Sequence, residues 1–449
     1  MIERTTLRIP LAGTPSARHR RWRGHSHSSP AMGLAWWCCV ASLFCVLLGN
    51  FGGTIAAYAF LAFWILLAAT RPKAGLRALT LNISLWLFPG FAVMSCLWSQ
   101  QHAISLRFGL QYAATVGCAA LAARLLPPRQ FVHALLVSLM AVAMLCLAIG
   151  RSDFNQLTQT VDFIGVFESK NELAFFISLL LLAGVAVAFD RGSGAHMRLL
   201  AVASFAPAVP LLIKAHSATS LVTTVVAVVV LLGNCTLAQL GPRERARILL
   251  AGTAMFLPLL TLGGSLGAAA NHFVAQFLGR SGTMTGRTVL WQRALELIPQ
   301  HSLLGWGWQA FWVRNSADAE GLWNKFHIAG RQGFQFQNTF LEAAVELGWV
   351  GCTLLAMAML IALWRTIRWS WRDHSPIASF FVALMVCLMI LSIVEVDVLY
   401  QFSIGAFVFF AAACLASDRG RAIPAARPAA SPRSANSPGR VAPTLPYAH

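Results

Sequence analysis

Twelve apolar runs, at residues 32–49, 53–70, 80–97, 108–123, 131–149, 172–189, 198–213, 218–233, 248–265, 340–364, 376–394 and 399–416, follow one another along the chain. No other hydrophilic stretch between two runs approaches the length of 266–338. A helix needs about 17–25 mostly apolar residues to cross the hydrocarbon core of a bilayer. Inside lipid the backbone must satisfy its own polar groups, which leaves helices or closed barrels. Charged residues are 11% of the 449, against about 25% in soluble domains. The predicted fold is therefore all-α: a polytopic helical membrane protein with about twelve transmembrane helices. One large outer loop carries short amphipathic helices. Several runs lie near the lower length limit, so ten or eleven spans fit the same pattern if short neighbours are re-entrant.

Lys and Arg positions set the orientation, because they accumulate in cytoplasmic loops. With the N-terminus inside, every inside segment holds at least two, among them Arg71, Lys73 and Arg77, then Arg124 and Arg129, and later Arg365, Arg368 and Arg372. Five parts follow. Residues 1–31 are a basic cytoplasmic segment, and 32–265 hold the first nine helices. Residues 266–338 form the large periplasmic loop, 339–416 the last three helices, and 417–449 a disordered cytoplasmic tail rich in Pro, Ala, Ser and Arg. Met32–Gly49 is read as a retained span, since no small-residue cleavage site follows the basic start. The net charge of +18 is then a topology signal with an attraction for anionic lipid headgroups. Nucleic acid is excluded as a partner, because that would need basic residues clustered on a soluble face. None of the ten cysteines lies in the large loop, and neither HExxH nor CxxC occurs, so no metal and no cofactor is assigned.

Four polar features can carry chemistry. In the large loop, Trp291, Ala294, Leu295 and Ile298 fall at helical spacing, which predicts an amphipathic helix over 285–298 lying on the membrane face. Thr285 would be its N-cap, leaving Arg287 in the first turn, where a cation opposes the helix dipole unless an anion sits between them. Arg287 and Arg293 equally suit anchoring to lipid phosphate. Where the loop re-enters the membrane, Gln337, Asn338 and Thr339 precede Glu342 and Glu346, two carboxylates one turn apart. Such groups need partners or water when they enter a span. A third cluster, Lys170, Asn171 and Glu172, crowds charge at an outer boundary, either as a phosphate site or as an interfacial salt-bridge cluster. The fourth is the short turn carrying Lys214 and His216, also readable as a snorkelling Lys with an interfacial His.

On these residues the chain resembles the O-antigen ligases and Wzy-type exopolysaccharide polymerases. The resemblance rests on Gly286-Arg287 with Trp291, then Leu304-Gly305-Trp306-Gly307, and Asn338-Thr339-Phe340-Leu341-Glu342 with Glu346-Leu347-Gly348 and Gly351. Lys170-Asn171 with Leu173-Ala174 resembles a further motif, with Ser169 where His is usual, and His216 to Ser220 is similar to an SxTS element. The wording of 304–312 is closer to the polymerases, and the likeness covers roughly residues 98–400. It implies a bacterial inner-membrane glycosyltransferase, metal-independent, that joins a sugar hydroxyl to a glycan carried on undecaprenyl diphosphate, with lipid-linked glycans as donor and acceptor. A flippase and a chain-length regulator are implied partners.

The implied site has Arg287, Gln337, Asn338 and Glu342 in catalysis. Arg287, Arg293, Lys170 and Lys214 bind the diphosphate, and Asn171, His216, Trp306 and Trp308 contact substrate. Gln337 stands where the family has His, and an amide cannot act as general base. Either Glu342, His327 or His216 takes that role, or the family His works through hydrogen bonds that Gln can copy, or the activity differs. A ligase acting on lipid A-core is the alternative acceptor reading. A twelve-span transporter is the alternative class, though corresponding halves and midplane charges are not evident. The topology is testable: a reporter active only outside the cytoplasm should be active when fused at residue 320 and silent at 240 or 430, and activity at 430 would overturn an even number of spans.

Overall fold

The computed structural model describes residues 30–80, 83–155, 160–248, 283–328, 330–331 and 334–421. The expected span at 248–265 and most of both terminal segments lie outside the described residues. Helices occupy the other apolar runs: α1 (Pro30–Leu47), α2 (Gly49–Thr70), α3 (Pro72–Thr80), α4 (Leu87–Met94), α5 (His102–Leu125), α6 (Pro128–Ile149) and α7 (Lys170–Phe189). After these come α8 (Ala195–Ala203), α9 (Phe205–Lys214) and α10 (Ala218–Gln239). The large loop contains α11 (Thr283–Leu297) and α12 (Ala317–Lys325), and α13 (Thr339–Asp373), α14 (Pro376–Leu391) and α15 (Ile404–Arg421) complete the fold.

Among the described residues, six helical segments are long and apolar enough to cross a membrane, and a bent pair at Pro72–Ala78 and Ile83–Leu97 would make a seventh. Three further apolar helices, Gly33–Leu47, Pro376–Leu391 and Ile404–Asp418, are shorter. The chain is a helical membrane protein, and its helices account for the described apolar runs. One strand pair interrupts the all-α expectation. Residues Arg151–Asn155 (β1) and Thr160–Gly165 (β2) form an antiparallel hairpin in the connection before α7.

Helix α7 is apolar on every side and buried on every side, as such a helix must be in a protein interior. Helices α6, α8, α10 and α14 surround it. The charges expected inside meet one another at one end. Arg129 Nε pairs with Asp190 at 2.6 Å, Arg245 donates to the Ala238 carbonyl at 2.6 Å and lies over the Trp371 ring, and Arg124 reaches Asp418 at 4.0 Å. Residues expected outside meet at the other end, where Lys170 holds Asp162 at 2.7 Å and Arg287 contacts Glu395.

The defining irregularity is in α13. Its helix breaks at Gly348, where φ is 65° and ψ −170°, a region essentially reserved for glycine. A break frees backbone groups that lipid cannot satisfy, and the turn at 302–307 takes them up. Trp306 N donates to the Val345 carbonyl (3.0 Å) and Gly307 N to that of Glu346 (2.8 Å), while Trp349 N donates to the Ser302 carbonyl (2.8 Å). Gly305, at φ 70°, is pressed so close to Glu346 and Gly348 that a Cβ would strike their backbone. The same turn is tied to the segment after α4 by Trp98 Nε1 on the Leu304 carbonyl (2.9 Å) and Trp308 N on Ser95 Oγ (2.9 Å).

Beyond this seam the large loop has a core of its own, made by Leu290, Ala294, Leu297, Ile298, Phe311, Leu322 and Phe336 packed on Ala344 and Val345 of α13. The apolar face of α11 therefore packs on protein, not on the membrane, and it is rotated from the expected stripe: Leu290 and Leu297 are inside, and Leu295 is 58% exposed. Helix α11 has begun by Thr283, so Thr285 is not its N-cap and Arg287 is past the first turn.

Replacing Gly348 by Ala should cost about 1–3 kcal/mol of backbone strain and drive a Cβ into the Leu303 carbonyl. Gly321→Ala, inside α12 where a Cβ meets open space, should be neutral or slightly stabilising. Thermal unfolding of the detergent-solubilised proteins distinguishes the two, and equal melting temperatures would remove the strain argument.

Candidate functional site

The residues that set the site come from separated parts of the chain and meet on the segment between α14 and α15. Asn338 caps α13, its Oδ1 accepting from Phe340 N (2.9 Å) and Leu341 N (3.0 Å). Its Nδ2 donates to the Ile393 carbonyl at 2.8 Å. Thr339 donates through N to the Ser392 carbonyl (2.9 Å) and through Oγ1 to the Glu395 carbonyl (2.7 Å). The start of α13 thus clamps the backbone of residues 392–395, and with it the stem of Glu395.

Glu395 is the convergence point. Its Oε1 accepts from Asn171 Nδ2 at 2.8 Å and from the Arg287 guanidinium. Asn171 in turn accepts from Ser217 Oγ at 3.1 Å, and Ser217 Oγ also meets Ser220 Oγ within the 217–220 turn. The side chains of Arg287 and Glu395 are 12% and 15% exposed, so the pair is largely desolvated but not sealed. Burial pushes the Glu395 carboxyl up to about 7, with Arg287 and Asn171 opposing the rise. Asp397, two residues on, is pushed well above the usual carboxylate range by burial and by the Glu395 and Glu172 charges.

Glu395 and Asp397 line a cavity of about 290 Å³ together with Glu168, Glu172, Gln335 and Tyr400, with Phe175 and Phe176 of α7 and Val46 and Leu47 of α1 supplying apolar walls. That volume is at the lower end of small-molecule sites, ~300–1,000 Å³. Asp397 Oδ2 and Gln401 Oε1 are buried without a hydrogen-bond partner among the described residues, and both residues line the cavity. Unpaired buried polar atoms are costly, and the hydroxyl groups of a bound ligand would relieve them.

The candidates read from the sequence divide accordingly. Arg287, Asn171 and the 217–220 turn are brought together on Glu395, while the neighbouring Lys170 is held by Asp162. Arg293 points elsewhere, held by Asp318 and Glu296 in the loop. Lys214 is exposed over the Phe163 ring. His216 is exposed, with φ 48°. Glu342 is buried, not at a solvated mouth. Its two oxygens accept from Trp312 Nε1 (2.8 Å) and Phe336 N (2.7 Å), so it pins the loop. Trp308 is fully buried against Phe88 and Tyr112 and offers no face to a sugar, whereas Trp306 is half-buried and packs against the His301 ring. Gln337 sits at φ 53°, its carbonyl accepting from Trp291 Nε1 at 3.4 Å. Gln335, not Gln337, lines the cavity.

Sequence reasoning missed Glu395 and Asp397. The available signal was the pair itself, two acids set between apolar residues at the junction of two spans, where ionisable groups are costly and tend to be functional.

No protein-family model matches the chain. The exopolysaccharide production protein ExoQ of Rhizobium meliloti (strain 1021) is 30% identical over 371 residues, 82% of this chain and 85% of that protein. On that identity and coverage, the chain belongs to this exopolysaccharide production family, that of the O-antigen ligases and Wzy-type exopolysaccharide polymerases.

Proposed function

We propose that this protein is an integral membrane glycosyltransferase that polymerises undecaprenyl-diphosphate-linked oligosaccharide repeat units in exopolysaccharide biosynthesis. It sits in the bacterial inner membrane with both termini in the cytoplasm and the cavity at the periplasmic end. The observation that carries this function is the largely buried Arg287 beside a polar cavity with apolar walls toward α1 and α7. Departure of a diphosphate develops negative charge, and a desolvated guanidinium stabilises such charge far better than it would in water. Arg287 supplies the positive charge, and Lys170, one residue before Asn171, is a second cation at the same end of the fold. The cavity accommodates about one sugar, so the rest of each glycan lies under the large loop and the lipid tail against the apolar walls. The relative's name supports an exopolysaccharide product, and supply of lipid-linked repeat units at the periplasmic face calls for a flippase.

The function is tested in a strain lacking the gene. Loss should leave single repeat units on the lipid carrier; polymer retained on the carrier would instead favour the ligase reading. In complementation at matched expression, Arg287→Ala should lower polymer by about 10²-fold or more. Arg287→Lys should restore only part of it, because a point charge lacks the planar fork. Wild-type polymer from Arg287→Ala would remove Arg287 from the site.

Two glutamines supply a second comparison. Gln335→Ala, which strips a polar group from the cavity wall, should reduce polymer more than Gln337→Ala. Gln337→His should be tolerated, since His is among the residues that accept a positive φ. The reverse ranking, read from polymer yield, would return the reacting groups to position 337.

A further inference from the structure

Resting on the glycosyltransferase reading, we propose that Glu395 is the general base that activates the acceptor sugar hydroxyl. Four observations carry the assignment. Glu395 lines the cavity. Both of its protein hydrogen bonds go to Oε1, from Asn171 and Arg287, and among the described residues no donor reaches Oε2. Its backbone is fixed by Thr339 Oγ1 and by the Asn338 clamp on Ile393, so the carboxylate is held on a rigid support. Finally, it touches the guanidinium assigned to the leaving group, so that cation lies directly behind a carboxylate of the cavity wall.

The other acids are less suited. Glu342 has both oxygens taken by Trp312 and Phe336 and does not line the cavity. Glu346 is buried under the 302–307 turn, also outside the lining. Asp397 lines the cavity, but no cation contacts it among the described residues, and burial beside Glu395 and Glu172 favours its protonated form. Glu395, raised by burial to about 7 and kept from rising further by Arg287, is poised where a base works best near neutral pH.

In the step, the acceptor hydroxyl oxygen bonds to the donor's anomeric carbon and its proton passes to Glu395. The bond from that carbon to the diphosphate oxygen breaks, its electron pair leaving with the diphosphate. Undecaprenyl diphosphate departs with its new charge against Arg287, and Glu395 returns its proton to water. The diphosphate also competes with Glu395 for Arg287, so donor binding loosens the ion pair and frees the carboxylate for the hydroxyl.

The test uses the full-length purified protein and lipid-linked repeat units isolated from the deletion strain, with elongation rates followed across about pH 5.5–9, a range that brackets the working pKa of a base near neutrality. Glu395→Gln keeps an oxygen acceptor for Asn171 and Arg287 but cannot take a proton. It should lower kcat by about 10²–10⁴-fold, with a smaller change in donor KM. The wild type should lose activity as pH falls through about 7, since protonation removes the base; Arg287 contacts it, and Glu168, Glu172, Asp397 and Tyr400 are the titratable groups that share its cavity. Residual activity of Glu395→Gln should lack that limb, and Glu395→Asp should retain partial activity with the limb displaced. Asp397→Asn should keep the limb. Glu395→Gln retaining more than about a tenth of wild-type kcat, or keeping the acid limb, overturns the assignment, as does loss of the limb in Asp397→Asn alone. A wild type that elongates no lipid-linked repeat removes the polymerase reading itself, a result distinct from an active wild type with an active Glu395→Gln.

Discussion

The break at Gly348 is the constraint on which the outer half of the molecule depends. A continuous helix from Thr339 to Asp373 would satisfy its own backbone and need nothing from the loop. Once the helix is interrupted, Val345, Glu346 and Trp349 have backbone groups with no helical partner, and the turn at 302–307 supplies partners for them. The two glycine-containing motifs are therefore halves of one joint: Gly305 lets the turn approach, and Gly348 lets the helix open. Their separation in sequence hides a direct backbone contact. Closing the joint seats the loop's small core on Ala344 and Val345, and that in turn brings α11 close enough for Arg287 to reach Glu395.

Electrostatics then explains why so much polar structure is concentrated on one carboxylate. A buried ion pair adds little net stability, because desolvation offsets the attraction, whereas removing one partner is strongly unfavourable. Stability alone gives little reason to gather Arg287, Asn171 and Ser217 about Glu395, since apolar packing of the same volume would serve. On the proposed reading, a site that holds a cation near a departing diphosphate and a proton acceptor near a hydroxyl needs such an arrangement, partly exposed and rigidly held. The clamp from Asn338 and Thr339 provides the rigidity without occupying Glu395 Oε2.

Apolar run length made the helices legible, because lipid leaves few alternatives. Each described run contains helix, and the expected inside charges do contact one another, as Arg129 with Asp190 and Arg124 with Asp418 show. Run length was silent on bends, so the pair around residues 78–83 and the shorter α14 and α15 could not be told from full spans. The stripe chosen for α11 was rotated because it assumed a lipid face, and the loop's private core was invisible to local periodicity. Motif spacing found Arg287, Asn171 and Asn338, yet it could not assign their roles. Asn338 and Glu342 turn out to make their hydrogen bonds to the chain itself, and that distinction exists only in three dimensions. Trp308, buried against Phe88 and Tyr112, shows a related limit: an aromatic cluster near a boundary reads alike whether it faces ligand or core.

The glutamine at 337 now has a different meaning. As long as the base is sought within the re-entry motif, its replacement of His looks like a loss of function. In the fold, residue 337 is a left-handed link whose carbonyl receives Trp291 Nε1, and it lies outside the cavity lining. What that position must supply is a backbone turn that lets Asn338 start the helix, and Gln meets that need as well as His does. A proton acceptor held by Arg287 and Asn171 does not depend on the residue at 337. On the proposed reading one position shapes the path of the chain, and the other presents an ionisable oxygen to the cavity.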